Sequence, residues 1–162
     1  MEGFDPATSF GPEVAQSYDD QLRGDEAETV DFLADLAGGD CALEFAIGTG
    51  RIAIPLTQRG VRVDGIELSP DMVARMRAKP GGDKVDVMMG DMASAAAPRD
   101  QYPLVYLVFN TIYNLLTQDG QVRCFENTAA ARRLGQSASA HSAGTGTEPA
   151  RAMKSAALRT WA

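Results

Sequence analysis

The sequence predicts an α/β protein with a mostly parallel sheet and helices on both of its faces. Three observations carry this expectation. Four short apolar runs alternate with segments of helical spacing, the pattern of strand–helix–strand units. The fourth run, Pro103 to Phe109, is apolar throughout, as suits a strand buried on both faces. The first run, Ala42 to Ile47, is broken only by Glu44 and passes into Gly48-Thr49-Gly50 and then Arg51-Ile52-Ala53-Ile54. That is a strand, a tight turn and a helix start.

The elements follow in order. Met1 to Pro12 is rich in Gly, Pro, Ser and Thr and is expected to be irregular. Val14 to Arg23 carries Tyr18-Asp19-Asp20 and is expected to form a short helix or a lid. Asp25 to Ala37 places Val30, Leu33, Leu36 and Ala37 at helical spacing, with Asp25, Glu26 and Glu28 at the dipole's positive end and Gly38-Gly39 as the stop. After the opening strand, Arg51 to Arg59 is expected to be a helix that tolerates Pro55 in its first turn and ends at Gly60. Val61 to Ile66 alternates as a second strand and stops at Glu67. Ser69 is a cap for a helix over Pro70 to Lys79, and Pro80-Gly81-Gly82 breaks it. Val85 to Met89 is the third strand, ended by Gly90-Asp91, and Thr117 to Leu134 is mostly helical.

Right-handed crossovers put every strand's C-terminal end on one edge of a parallel sheet. Gly48 to Gly50, Glu67, Asp91 and Asn110 each follow a strand, so they converge on the ligand crevice of an open α/β sheet. Glycine lets a ligand approach the backbone there, and the free N–H groups of the helix start face it.

The chain of 162 residues suits one domain, and 44% hydrophobic content allows a packed core. The charge is uneven. Met1 to Glu44 holds twelve acids against one Arg, a balance of -11, and Gln121 to Ala162 holds six bases against two acids, a balance of +4. The acidic start disfavours nucleic acid as a partner. Cys41 and Cys124 alone make neither a disulfide framework nor a zinc site. With no apolar stretch long enough to span a membrane and an acidic N-terminus without a signal pattern, a cytoplasmic protein is expected.

Taken together, the residues from about Phe10 to Leu134 resemble the class I S-adenosylmethionine-dependent methyltransferases. The resemblance implies a Rossmann-like three-layer α/β/α fold. Glu44-Phe45-Ala46-Ile47-Gly48-Thr49-Gly50-Arg51 looks like the family's first motif. It implies that Ala46, Gly48, Thr49 and Gly50 lie under the methionine part of S-adenosyl-L-methionine, with Glu44 ordering its amino group. Ala46 stands where the family usually has a glycine, a change that a negative φ would accommodate. Glu67 matches the acid that accepts both ribose hydroxyls. Leu68 and Met72 would line the adenine, and Asp91 with Met92 would read its edge. Asn110 and Thr111 fall beside the transferable methyl, Tyr18 resembles a tyrosine that closes over the cofactor, and Tyr113 and Asn114 would shape the acceptor side with Thr111.

The cofactor is a sulfonium bearing an ammonium, a carboxylate, a diol and an adenine. Carboxylates suit its diol and its amine, and no phosphate demands a basic loop. No metal is implied. A small-molecule acceptor is expected, with the reaction resting on proximity, because the acids are assigned to the cofactor and the only histidine, His141, lies far along the tail. A rival stands on Gly48-x-Gly50-x-x-Ala53 with Glu67 nineteen residues after Gly48, the fingerprint of an NAD(P)-binding domain. Three features favour the methyltransferase: Glu44 inside the first strand, a helix before that strand, and the third-strand acid Asp91. A binding or interaction fragment without catalysis is the third alternative.

The family sheet has seven strands, and four, or at most five, are legible here. Residues 1–134 are therefore expected to form a partial domain. Residues 135–162 consist largely of Ala, Ser, Gly and Thr and are expected to be a low-complexity or weakly helical tail, the mark of a truncated or frame-shifted chain. The fourth strand would then be an edge with exposed apolar side chains and a tendency to self-associate.

Overall fold

The computed structural model describes residues 5–6, 8–20, 24–99 and 101–132. The expectations for Met1 to Phe4, for Gln21 to Arg23 and for the tail with His141 lie outside the described residues.

The described residues form five α-helices and four strands, in the order α1 Pro12–Ser17, α2 Glu26–Ala37, β1 Cys41–Phe45, α3 Ala53–Gln58, β2 Arg62–Glu67, α4 Pro70–Arg77, β3 Asp86–Met89, β4 Leu104–Tyr106 and α5 Gln118–Ala131. Short 3₁₀ turns occupy Tyr18–Asp20, Gly82–Lys84 and Thr111–Asn114. The sheet order is β3-β2-β1-β4 with every pairing parallel. The order reverses direction at β1 and β4, which opens a crevice at their C-terminal ends.

Local chemistry sets the boundaries. Ser69 Oγ accepts from the Met72 N–H at 3.2 Å and Pro70 is the first residue of α4, the cap the sequence announces. Thr117 Oγ1 does the same for Gly120 N–H at 3.1 Å in α5. Gly38 takes a left-handed φ of 62° and returns its N–H to the Ala34 carbonyl, ending α2. Most ends shift from expectation by one or two residues, and two elements shift more visibly. α1 begins at Pro12, whose ring presets the first helical φ. β4 covers only Leu104–Tyr106 of the expected Pro103 to Phe109, and the chain turns at Phe109 with a φ of 57°.

Successive strand residues point to opposite faces. Ala42, Val63, Leu104 and Tyr106 pack with Val30 and Leu33 of α2, Leu56 of α3 and Met76 of α4. Leu43, Phe45, Ile66 and Val105 pack with Tyr102 and with Cys124 and Ala131 of α5. The sheet is thus the middle of three layers.

Among the described residues β4 is an edge strand, as expected, but its side chains are not exposed: Leu104, Val105 and Tyr106 are all buried. In a parallel sheet the side chains meet the helices on the two faces, so an open edge bares backbone groups and not side chains. At the N-terminal end of that edge Tyr102 N–H donates to the Ala131 carbonyl at 2.8 Å, and Tyr102 pairs in parallel with Arg132. Among the described residues no helix is long and apolar enough to cross a membrane.

Candidate cofactor site

A cavity of about 340 Å³ opens at the C-terminal edge of the sheet. Ala46 and Gly48 of the turn, Glu67, Leu68 and Met72 after β2, and Asp91 and Met92 after β3 all line it. Tyr18 and Phe10 of the N-terminal segment close one side, and Thr111 and Asn114 form the wall after β4.

Glu67 is the best-fixed group. Its Oε2 accepts from Gly48 N–H at 2.7 Å, and its Oε1 accepts from Leu68 N–H at 3.0 Å and Ser69 N–H at 2.9 Å. The first bond spans β1 to β2 and sets the height of the glycine turn. Burial pushes the carboxyl above its usual range, while the three N–H donors pull it back. A carboxylate offers about four acceptor positions, so Glu67 retains capacity for a hydroxyl from the cavity.

Glu44 lies beneath the cavity and not on its wall. It is fully buried, and Tyr106 Oη donates to its Oε2 at 3.0 Å. Burial pushes this carboxyl up to about 8; the tyrosine hydrogen bond opposes that rise, and the nearby Glu67 charge adds to it. Tyr106 is itself pushed well up, first by burial and then by Glu44, so it remains a donor.

Four further expected residues are also off the wall. Thr49 turns its hydroxyl away, donating to Asp19 Oδ1 at 2.6 Å. Gly50 faces the core: a Cβ there would lie 2.7 Å from Met76 Cγ, so it is needed for packing against α4. Asn110 precedes the 3₁₀ turn without capping it, and Tyr113 points outward with 61% exposure.

Ala46 corrects a second expectation. Its φ is 51°, not negative, and the next residue, Ile47, still donates its N–H to the Ile66 carbonyl of β2 at 3.1 Å. A left-handed alanine costs roughly 1–2 kcal/mol, and glycine would return about 0.4–1 kcal/mol of that as unfolded-chain entropy. Ala46→Gly is expected to stabilise the chain by about 0.5–1 kcal/mol, read as a higher urea midpoint. An unchanged or lower midpoint would contradict the strain.

The site also uses residues to which the sequence gives no role in it. Asp19 Oδ2 pairs with Lys79 Nζ at 2.6 Å, and Ser69 Oγ donates to the Phe10 carbonyl at 2.6 Å. Burial raises the Asp19 carboxyl, but Lys79 and Thr49 bring it below its ordinary value. These bonds strap the N-terminal segment across the turn and α4. Long-range contacts of this kind leave no periodic signal; the cluster Tyr18-Asp19-Asp20 is the only hint.

The cavity's chemistry fits the expected cofactor. Asp5, Glu67 and Asp91 line it, and among the described residues Arg123 is its only Lys or Arg. Two bases beside the glycine turn are engaged off the cavity wall: Lys79 Nζ donates to the Thr49 carbonyl at 2.8 Å, and Arg51 pairs with Glu26 at 3.4 Å. A cationic sulfonium ligand suits such a wall, whereas a pyrophosphate would face carboxylates.

Comparison with known proteins agrees. Residues 42–135, more than half of the chain, match the family model described as methyltransferase domain. An uncharacterized methyltransferase of Geobacillus sp. (strain WCH70) is 33% identical over 115 residues, 70% of this chain and 52% of that protein. Ribosomal RNA small subunit methyltransferase A of Anaeromyxobacter sp. (strain K) is 32% identical over 114 residues, 62% of this chain and 39% of its own length. The structure of the CcbJ methyltransferase from Streptomyces caelestis superposes with a TM-score of 0.71 at 33% identity, covering 80% of this chain and 55% of that one. The glycopeptide N-methyltransferase MtfA complexed with S-adenosyl-L-methionine shares the fold, with a TM-score of 0.56 at 22% identity over 70% of this chain and 52% of that one.

The chain belongs to the methyltransferase domain family, with the Rossmann-like fold of the class I S-adenosylmethionine-dependent methyltransferases. It spans about half or less of the length of the curated relatives it matches. The NAD(P)-binding alternative is not supported: the matching family and the similar structures are methyltransferases, and Glu44 and Asp91 have no part in a dinucleotide fingerprint.

Proposed function

We propose that this chain binds S-adenosyl-L-methionine in the cavity and presents it to a small-molecule acceptor for methyl transfer. The observation that carries the reading is the Glu67 carboxylate, fixed by three backbone N–H groups beside the glycine turn and facing a cavity poor in cations. The cofactor supplies an electrophilic methyl group on a sulfonium whose leaving thioether is neutral. Gly48 allows close approach of the backbone. Glu67 accepts from a ribose hydroxyl, Leu68 and Met72 hold the adenine faces, and Asp91 with the Met92 N–H reads the adenine edge. Glu44, from below, orders the ammonium, and Tyr18 covers it. Thr111 and Asn114 hold the acceptor in line, an effect worth up to about 7–11 kcal/mol in favourable cases. The described residues of the cavity are assigned to holding the cofactor and the acceptor, so the rate rests on proximity and not on a general base.

The carboxylates on the wall and the acidic N-terminal segment favour a small acceptor over nucleic acid. The test is transfer of tritiated methyl from S-adenosyl-L-methionine into an extract of the source cells. Label in the small-molecule fraction is expected. Label in RNA would overturn the acceptor class, and no label despite cofactor binding would leave a binding module without catalysis.

A further inference from the structure

Arg51 contributes no atom to the cavity wall, yet its guanidinium touches three separate parts of the chain. Nη2 donates to the Tyr18 carbonyl at 2.9 Å, and Nη1 pairs with Glu26 Oε1 of α2 at 3.4 Å. Its Cζ lies 4.9 Å from the centre of the Tyr18 ring and 5.9 Å from that of Phe109. The side chain is only 13% exposed. Tyr18 is one wall of the cavity. Phe109 leads directly into the turn that supplies Thr111 and Asn114 to the other, and it does so with the left-handed φ of 57° that any bulky residue resists.

We infer that Arg51 is a positioning residue that couples the two walls, so that the N-terminal segment and the turn after β4 close on the cofactor as one unit. The inference rests on the methyl-transfer reading of the cavity. A planar guanidinium can lie against aromatic rings while its fork bonds a carbonyl and a carboxylate; an ammonium is a point charge and cannot do both. The bonds from Asp19 to Thr49 and Lys79 attach the same N-terminal segment independently. Loss of Arg51 therefore loosens the walls without releasing the segment.

The test uses Arg51→Lys and Arg51→Gln in the full chain, with hydrogen–deuterium exchange and titration of S-adenosylhomocysteine. Exchange is expected to rise together in residues 12–20 and 109–114 while β1 and β2 keep their wild-type protection. S-adenosylhomocysteine affinity is expected to fall by about tenfold or more in both variants, with no rescue by lysine. Faster exchange throughout β1 and β2, loosening of one wall alone, or wild-type affinity in Arg51→Lys would each overturn the coupling. Should the Arg51 variants fail to fold, Phe109→Leu removes the second ring: faster exchange in residues 12–20 supports the coupling and unchanged exchange refutes it. A wild-type chain that does not bind S-adenosylhomocysteine would sink the functional reading, while the exchange experiment still decides the role of Arg51.

Discussion

Replacing Glu67 with alanine is expected to weaken S-adenosyl-L-methionine binding by about a hundredfold or more and to destabilise the chain as well. The carboxylate satisfies Gly48, Leu68 and Ser69 N–H groups and is 7% exposed. Hydrogen bonds to a charged group are worth about 1.5–3 kcal/mol each, and a donor left buried and unpaired costs about 1–3 kcal/mol. Alanine therefore removes the acceptor for the ribose and releases the glycine turn at once. A stability loss of about 3 kcal/mol by urea unfolding is the companion expectation. Glu67→Gln keeps one acceptor oxygen, so it should fall between wild type and alanine in both measurements. Cofactor affinity unchanged in Glu67→Ala would remove this residue from the site.

Glu44 yields the second large effect, and its sign is opposite to that of an ion-paired carboxylate. Its folded-state value is raised to about 8 from an ordinary 4.5. Between those values the folded chain holds a proton that the unfolded chain has lost, so stability from this group is full below about pH 4.5 and is lost as pH rises towards 8. Glu44→Gln keeps an oxygen to accept from Tyr106 and has no proton to lose. Relative to that variant, wild type should lose several kcal/mol, on the order of 1.4 per pH unit, between pH 5 and pH 8. Parallel stability curves for the two proteins would show that Glu44 is ionised without cost and is solvated from the cavity. A bound ammonium would relieve the penalty, so the gap between the two proteins should shrink in saturating cofactor.

β1, β2 and β4 were legible because burial demands apolar residues. β3 was legible, although Met88 and Met89 are exposed, because its Val-x-Val-Met-Met run keeps strand character. Caps such as Ser69 and Gly38 mark helix ends by local chemistry. Of the expected site residues, Gly48, Glu67, Leu68, Met72, Asp91 and Met92 do meet at one cavity, because each closely follows a parallel strand or its turn. What stayed hidden depends on the third dimension. The left-handed φ of Ala46 is not announced by its residue type. The outward turn of Thr49 follows from Asp19, thirty residues away. Arg51 looked like an ordinary helix-start residue, and its contacts with Tyr18, Glu26 and Phe109 arise only when three distant segments are packed together. The apolar run of β4 did announce its two covered faces, with Val105 in the cluster of α5 and Leu104 in the cluster of α2; the expected exposure of its side chains failed because an open edge bares backbone groups.

Calorimetric titration of the full chain with S-adenosyl-L-methionine, with NAD as the comparison, tests the central claim most directly. The account predicts saturable binding of S-adenosyl-L-methionine at one site, lost in Glu67→Ala, and no heat from NAD. Saturable binding of NAD without binding of S-adenosyl-L-methionine would contradict it.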